Sequence, residues 1–213
     1  MCFSAGASFG AGVVLSAIGV ASIKKVQQPT QLIFASIPLV FAVQQISEGF
    51  LWLALADPAY VFMQQATTYI FLSFAQVVWP FWVPLAMLLL EREDKRKKTQ
   101  WAFLAMGLLV SGYLAYHLIT YHALATIIGR HISYNEGFPS GRSGYGALLY
   151  IMATVVPPFF SNSKHMWMIG TAILISYIIT TIFYEDYITS VWCFFASVIS
   201  LSVFIVIHKI KIA

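Results

Sequence analysis

Charge is what this chain has least of. Asp, Glu, Lys and Arg make up 9% of its 213 residues, while 60% are hydrophobic. A soluble globule of this size has too much surface to hide that much apolar material, so a water-soluble fold is excluded. Cysteine is nearly absent too, with two in all. A scaffold of several disulfides and a CxxC metal or redox motif are thereby ruled out. No lysine falls inside an apolar stretch, which excludes a retinal Schiff base. No HExxH, GxSxG or P-loop occurs, and no helix carries the arginine ladder of a voltage sensor.

What is present is a series of long apolar runs. A helix crossing a hydrocarbon core of about 30 Å needs roughly 20 mostly apolar residues. The sequence accordingly predicts an all-α membrane protein, a single bundle of about seven transmembrane helices. The expected spans are residues 5–23, 31–55, 66–90, 101–128, 147–161, 165–184 and 190–208. The third contains Trp79-Pro80-Phe81-Trp82-Val83-Pro84, and the fifth carries Pro157-Pro158 near its end, so both should be kinked. Residues 129–146, rich in Gly, Ser and Tyr, read as the longest loop. No cleavable signal is expected, because Lys24 and Lys25 follow the first apolar stretch rather than precede it.

The basic residues set an orientation. Lys24, Lys25, Arg92, Lys95, Arg96, Lys97, Lys98, Lys164, Lys209 and Lys211 fall on one side of a seven-span arrangement, and only Arg130 and Arg142 on the other. Basic loops stay in the cytoplasm, which predicts an N-terminus outside and a C-terminus inside. The net charge of +4 is therefore an orientation signal and not a nucleic-acid footprint. The surroundings are expected to be the lipids of a bacterial inner membrane.

Polar groups inside a bilayer are expensive and need a reason. Gln44, Glu48 and Trp52 recur every four residues and share a helical stripe, with Gln45 beside it. Glu48 reads either as protonated packing glue or as a ligand or proton group facing a polar cavity. Tyr113, His117 and Tyr121 form a second stripe, with His122 on another face. Cys2 and Cys193 both fall at the outer face, where three readings fit: a disulfide, soft-metal ligands, or small buried residues. The expected pocket combines Gln44, Gln45, Glu48, Trp52, His117 and Trp192, with Cys193 at its wall, and binds or senses a small ligand or ion. A metal-assisted hydrolase of a lipid or small amide is the alternative, its divalent ion held by Cys2, Glu48, His117 and Cys193, with His131 nearby. A small transporter coupled through Glu48 is a third. A sensor so built would need a partner subunit or a second copy of itself, and Gly6-x-x-x-Gly10 is the nearest thing to a dimer face.

The opening, Met1-Cys2-Phe3-Ser4-Ala5-Gly6-Ala7-Ser8-Phe9, resembles that of an uncharacterised family of bacterial integral membrane proteins that begin MCFSAxASF. The stretches Gln44-Gln45-x-x-Glu48-Gly49-x-x-Trp52, Trp79-Pro80-x-x-Val83-Pro84 and Ser190 to Ala196 fit the same resemblance. It implies a seven-helix membrane protein and supplies no catalytic residues. The seven-helix ceramidase and adiponectin-receptor hydrolases carry a His-x-x-x-His pair on their last helix. Here the last helix offers Trp192-Cys193 and no His before His208.

Overall fold

A computed structural model describes residues 4–137, 144–162 and 165–209, and the side chains of all but 144 and 145 among them. Cys2, Arg142, Lys164 and Lys211 lie outside the described residues. Helix α1 (Ala5–Lys24) leads through a 3-10 turn and a short α2 (Leu32–Ala35) into α3 (Ile37–Ala56). Then come α4 (Gln64–Leu72), a π-helical segment (Ser73–Val78), α5 (Trp79–Leu90) and the long α6 (Asp94–Thr120). Strands β1 (Leu124–Ile128) and β2 (His131–Asn135) precede α7 (Gly144–Thr154), α8 (Met166–Phe183), α9 (Ile188–Ile199) and α10 (Leu201–Lys209). Six stretches among the described residues are long and apolar enough to cross a membrane: Ala5–Lys24, Pro29–Ala56, Pro58–Leu90, Asp94–Thr120, Met166–Phe183 and Glu185–Lys209. The protein is therefore a multi-pass, all-α membrane protein.

Two departures from the sequence reading matter for the site. The fourth span stops at Thr120 instead of residue 128, and residues 124–135 form an antiparallel hairpin, so His122 lies beyond the helix. Ile128 pairs with His131, which leaves Gly129-Arg130 as a two-residue turn. Gly129 has φ +63° and Arg130 does not share that sign, the pattern a II′ hairpin turn requires. The hairpin is seated on the bundle by Ala125 and Ile132, both buried with Leu51 and Trp52.

The fifth expected span is shorter than predicted. Helix α7 holds 11 residues, or about 16 Å, before Pro157, which has no N–H, ends it in a 3-10 turn. Near its start, Gly146 and Ala147 line one cavity with Tyr113 and Leu114. At the other end of the same segment, the Asn162 N–H donates to Glu91 Oε2 at 2.9 Å. Glu91 is 4% exposed, and its Oε1 accepts the N–H groups of Arg92 and Glu93 at 3.0 and 3.1 Å. That carboxylate satisfies three backbone donors where two helices change direction.

Helices pack here with no hydrophobic drive between them, so close approach over small residues carries the contact. Ser8, Gly12, Leu15, Gly19 and Ser22 form the buried stripe of α1. A Cβ at Gly12 would stand 2.6 Å from Ile46, and one at Gly49 would stand 2.8 Å from Phe9. Gly6 and Gly10 face away and have nothing within 4 Å. The α1–α3 contact is thus made by a different set of small residues from the Gly6-x-x-x-Gly10 pair.

The same logic governs α5 against α6. Pro84 cannot donate to the Pro80 carbonyl, and α6 presents Gly107 at that oxygen, where a Cβ would overlap it. Gly107→Ala is expected to force the two helices apart and cost about 1–3 kcal/mol or more. Gly112→Ala on the same helix meets nothing within 4 Å and should be neutral or slightly stabilising. Paired thermal-unfolding curves in one detergent check this, and equal melting temperatures for the two variants would refute the close contact.

Candidate functional site

The π segment is the local event that builds the site. The Trp79 N–H reaches the Phe74 carbonyl, five residues back, so the Ala75 carbonyl loses its α-helical donor. Its next candidate donor is residue 80, a proline with no N–H. The Tyr150 hydroxyl of α7 donates to the Ala75 carbonyl instead. The Ser111 hydroxyl of α6 donates to the neighbouring Val77 carbonyl at 2.7 Å. The wide turn also carries the Gln76 side chain to the far end of the hairpin, where its Nε2 donates to Glu136 Oε1.

Gln76 and Glu136 lie in the wall of a cavity of about 180 Å³ between α6, α7, α8 and α9. Tyr113, Tyr150, Tyr177 and Trp192 supply its aromatic surface. The rings are locked against one another, Tyr150 and Tyr177 meeting Trp192 at centroid distances of 5.5 and 5.0 Å. Burial raises the Glu136 carboxyl above its ordinary value of 4.5, and the hydrogen bond from Gln76 offsets part of that. A second cavity of about 70 Å³ lies toward the Glu91 end of the bundle, with walls that include Phe34, Val83, Met87, Ala196 and Val203. Tyr150, Trp192 and Cys193 belong to the walls of both.

The structure gathers some of the residues singled out from the sequence and separates others. Gln44, Gln45 and Glu48 are all fully buried. Ser190 of α9 donates to Glu48 Oε1 at 2.6 Å, and the Trp79 indole donates to Gln44 Oε1 at 2.8 Å. The Cys193 thiol is a neighbour of both Gln44 and Glu48. This polar knot ties α3 to α5 and α9; Gln44, Glu48 and Ser190 line neither cavity, while Trp79 and Cys193 present a face to them. Gln45 keeps both ends of its amide buried with no partner among the described residues. Trp52 packs under the hairpin with Leu51, Ala125 and Ile132. His117 sits among Tyr113, Tyr116 and Tyr121, at centroid distances of 4.4, 5.6 and 5.5 Å, and lines neither cavity. Of the expected pocket, Trp192 and Cys193 face the cavities.

Among the described residues no three His, Cys, Asp or Glu side chains are placed to hold an ion. Cys193 is a free, buried thiol, and Cys2 lies outside the described residues. His131 stacks on Tyr187 at 4.7 Å in the hairpin, where burial lowers its pKa.

Sequence reasoning missed Gln76 and Tyr150 and placed Glu136 in a loop without a role. Gln76 was open to discovery as the lone amide of an apolar span just before two prolines. Its partner Glu136 was not, because nothing local links residues 60 apart.

These features define a class: a helical multi-pass membrane protein with a part-polar, aromatic-walled cavity that has Glu136 in its wall. The chain belongs to a family of unknown function (DUF6629), matched over residues 1–213. No curated protein and no solved structure matches it.

Two outcomes follow. Tyr150→Phe strands the Ala75 carbonyl in a dry environment and should cost about 1–3 kcal/mol, read as a lower melting temperature in detergent. For Glu136 the sign runs opposite to the usual carboxylate, because its folded pKa is the higher one. Its penalty is absent below the ordinary value of 4.5 and grows as pH rises from there to the folded value. Glu136→Gln should therefore flatten the fall in stability over that interval, and an unchanged pH profile would show the carboxyl is not buried as described.

Proposed function

We propose that this protein is a seven-crossing inner-membrane binding protein, N-terminus outside, whose outer cavity takes a small organic cation of the ammonium class. One observation carries the reading: a carboxylate, Glu136, stands in the same cavity as four aromatic rings, Tyr113, Tyr150, Tyr177 and Trp192. Aromatic faces and a carboxylate together attract a desolvated ammonium, worth about 2 kcal/mol or more from the rings when water is excluded. A neutral polar ligand would have no use for so much π surface. An anion would be repelled.

The topology rests on two supports. Residues 144–162 run from the Tyr113 level to the Glu91 level, so a short broken helix can serve as the crossing that the six long stretches leave uneven. The basic residues of the chain also concentrate at one end of that arrangement. The cavity then opens on the extracytoplasmic side. With Glu48 enclosed by its own helices, a coupling or catalytic part for it draws no support here.

The test uses tetramethylammonium with tert-butanol as its uncharged near-isostere. Tetramethylammonium should raise the melting temperature of the purified protein, following the linkage between binding and stability, and tert-butanol should not. Glu136→Gln should abolish the shift. Binding should strengthen as pH rises through the Glu136 pKa, since the cation favours the ionised carboxyl. Equal shifts from the two probes would sink the ammonium reading. For orientation, an impermeant maleimide on intact cells should label Arg130→Cys and leave Lys95→Cys unlabelled until the membrane is broken.

A further inference from the structure

The two cavities are neighbours of opposite character. One presents Glu136, Gln76 and tyrosine hydroxyls; the other is walled by Phe34, Val83, Met87, Ile169, Ala196 and Val203 with little polar surface among them. Side chains around an unfilled apolar void lose dispersion contacts, so such a space inside a packed bundle invites hydrocarbon. A small cation alone would need only the first cavity.

The partition between them is built unequally. Tyr150 is pinned by its hydroxyl to the Ala75 carbonyl. Trp192 makes ring contacts with Tyr150 and Tyr177, and its indole N–H is buried with no partner among the described residues. Turning the indole aside therefore breaks no hydrogen bond. The apolar cavity, at about 70 Å³, is about half the size of a void that admits benzene, so it takes a short alkyl end of a few carbons.

Resting on the ammonium reading of the outer cavity, we propose that the ligand is a single-chain amphiphile. Its cationic head lies against Glu136 and Gln76, and its hydrocarbon chain passes Trp192 into the apolar cavity. The head gives recognition and the chain gives affinity. A buried methylene contributes about fourfold in binding, so the chain dominates once a few carbons pass the partition.

Tetramethylammonium and hexyltrimethylammonium separate the two ideas. Bound probe is counted by native mass spectrometry on protein from phosphatidylglycerol nanodiscs, for the wild type, Ala196→Phe and Val83→Phe. These variants fill the apolar cavity from different helices, so loss of one to misfolding leaves the other. We expect hexyltrimethylammonium to bind the wild type at least tenfold tighter than tetramethylammonium. Either filled variant should lose most of that gain and keep the affinity for tetramethylammonium. If tetramethylammonium binds and both filled variants hold the hexyl probe as the wild type does, the amphiphile inference fails and the ammonium site stands. If the wild type binds neither probe, both fail together.

Discussion

A carbonyl that loses its helical donor inside a membrane has no water to turn to, and the span from Pro58 to Leu90 loses several. The π turn over Ser73–Val78 shifts the hydrogen-bond register by one residue just where Pro80 and Pro84 remove two donors. The neighbours are arranged to answer this. Tyr150 brings α7 to the Ala75 carbonyl, Ser111 brings α6 to Val77, and Gly107 lets α6 close on Pro80. The positions of α6 and α7 follow from unmet backbone valence more than from shape. The polar cavity is what remains between helices held in those places.

Elsewhere the bundle is joined by side chains. Glu48 and Gln44 gather Ser190 and Trp79 into a dry knot between α3, α5 and α9, and Glu91 gathers three N–H groups at the other end. Both carboxylates are 4% exposed or less. Their cost in a low dielectric is met by donors placed at hydrogen-bond distance, which makes them specific fasteners for the helices they join.

The membrane architecture was legible because apolar length is a one-dimensional property, and six stretches among the described residues are long and apolar enough to cross a membrane. The hairpin was hidden inside an apolar run. Leu124 to Ile128 continues the hydropathy of α6, and a II′ turn at Gly129-Arg130 is a faint mark in a glycine-containing loop. The stripe of Gln44 and Glu48 was visible in its four-residue spacing, yet its partners Ser190 and Trp79 come from distant helices. Whether such a stripe faces a cavity or a neighbour is decided by packing across the bundle. For the same reason Glu136 looked idle: its meaning depends on Gln76, sixty residues earlier and placed by a helix defect.

Helix α7 has one consequence for the surrounding lipid. At about 16 Å it is roughly half the thickness of an average hydrocarbon core, and Leu148 and Leu149 on it are exposed. On the proposed topology the crossing is completed by the Pro157–Phe160 turn, whose exposed Phe159 and Phe160 carry the apolar surface onward. Acyl chains on that flank meet a helix broken partway along, while on the others they meet longer apolar stretches. That asymmetry biases which lipids crowd the flank and how the molecule shares the membrane with others.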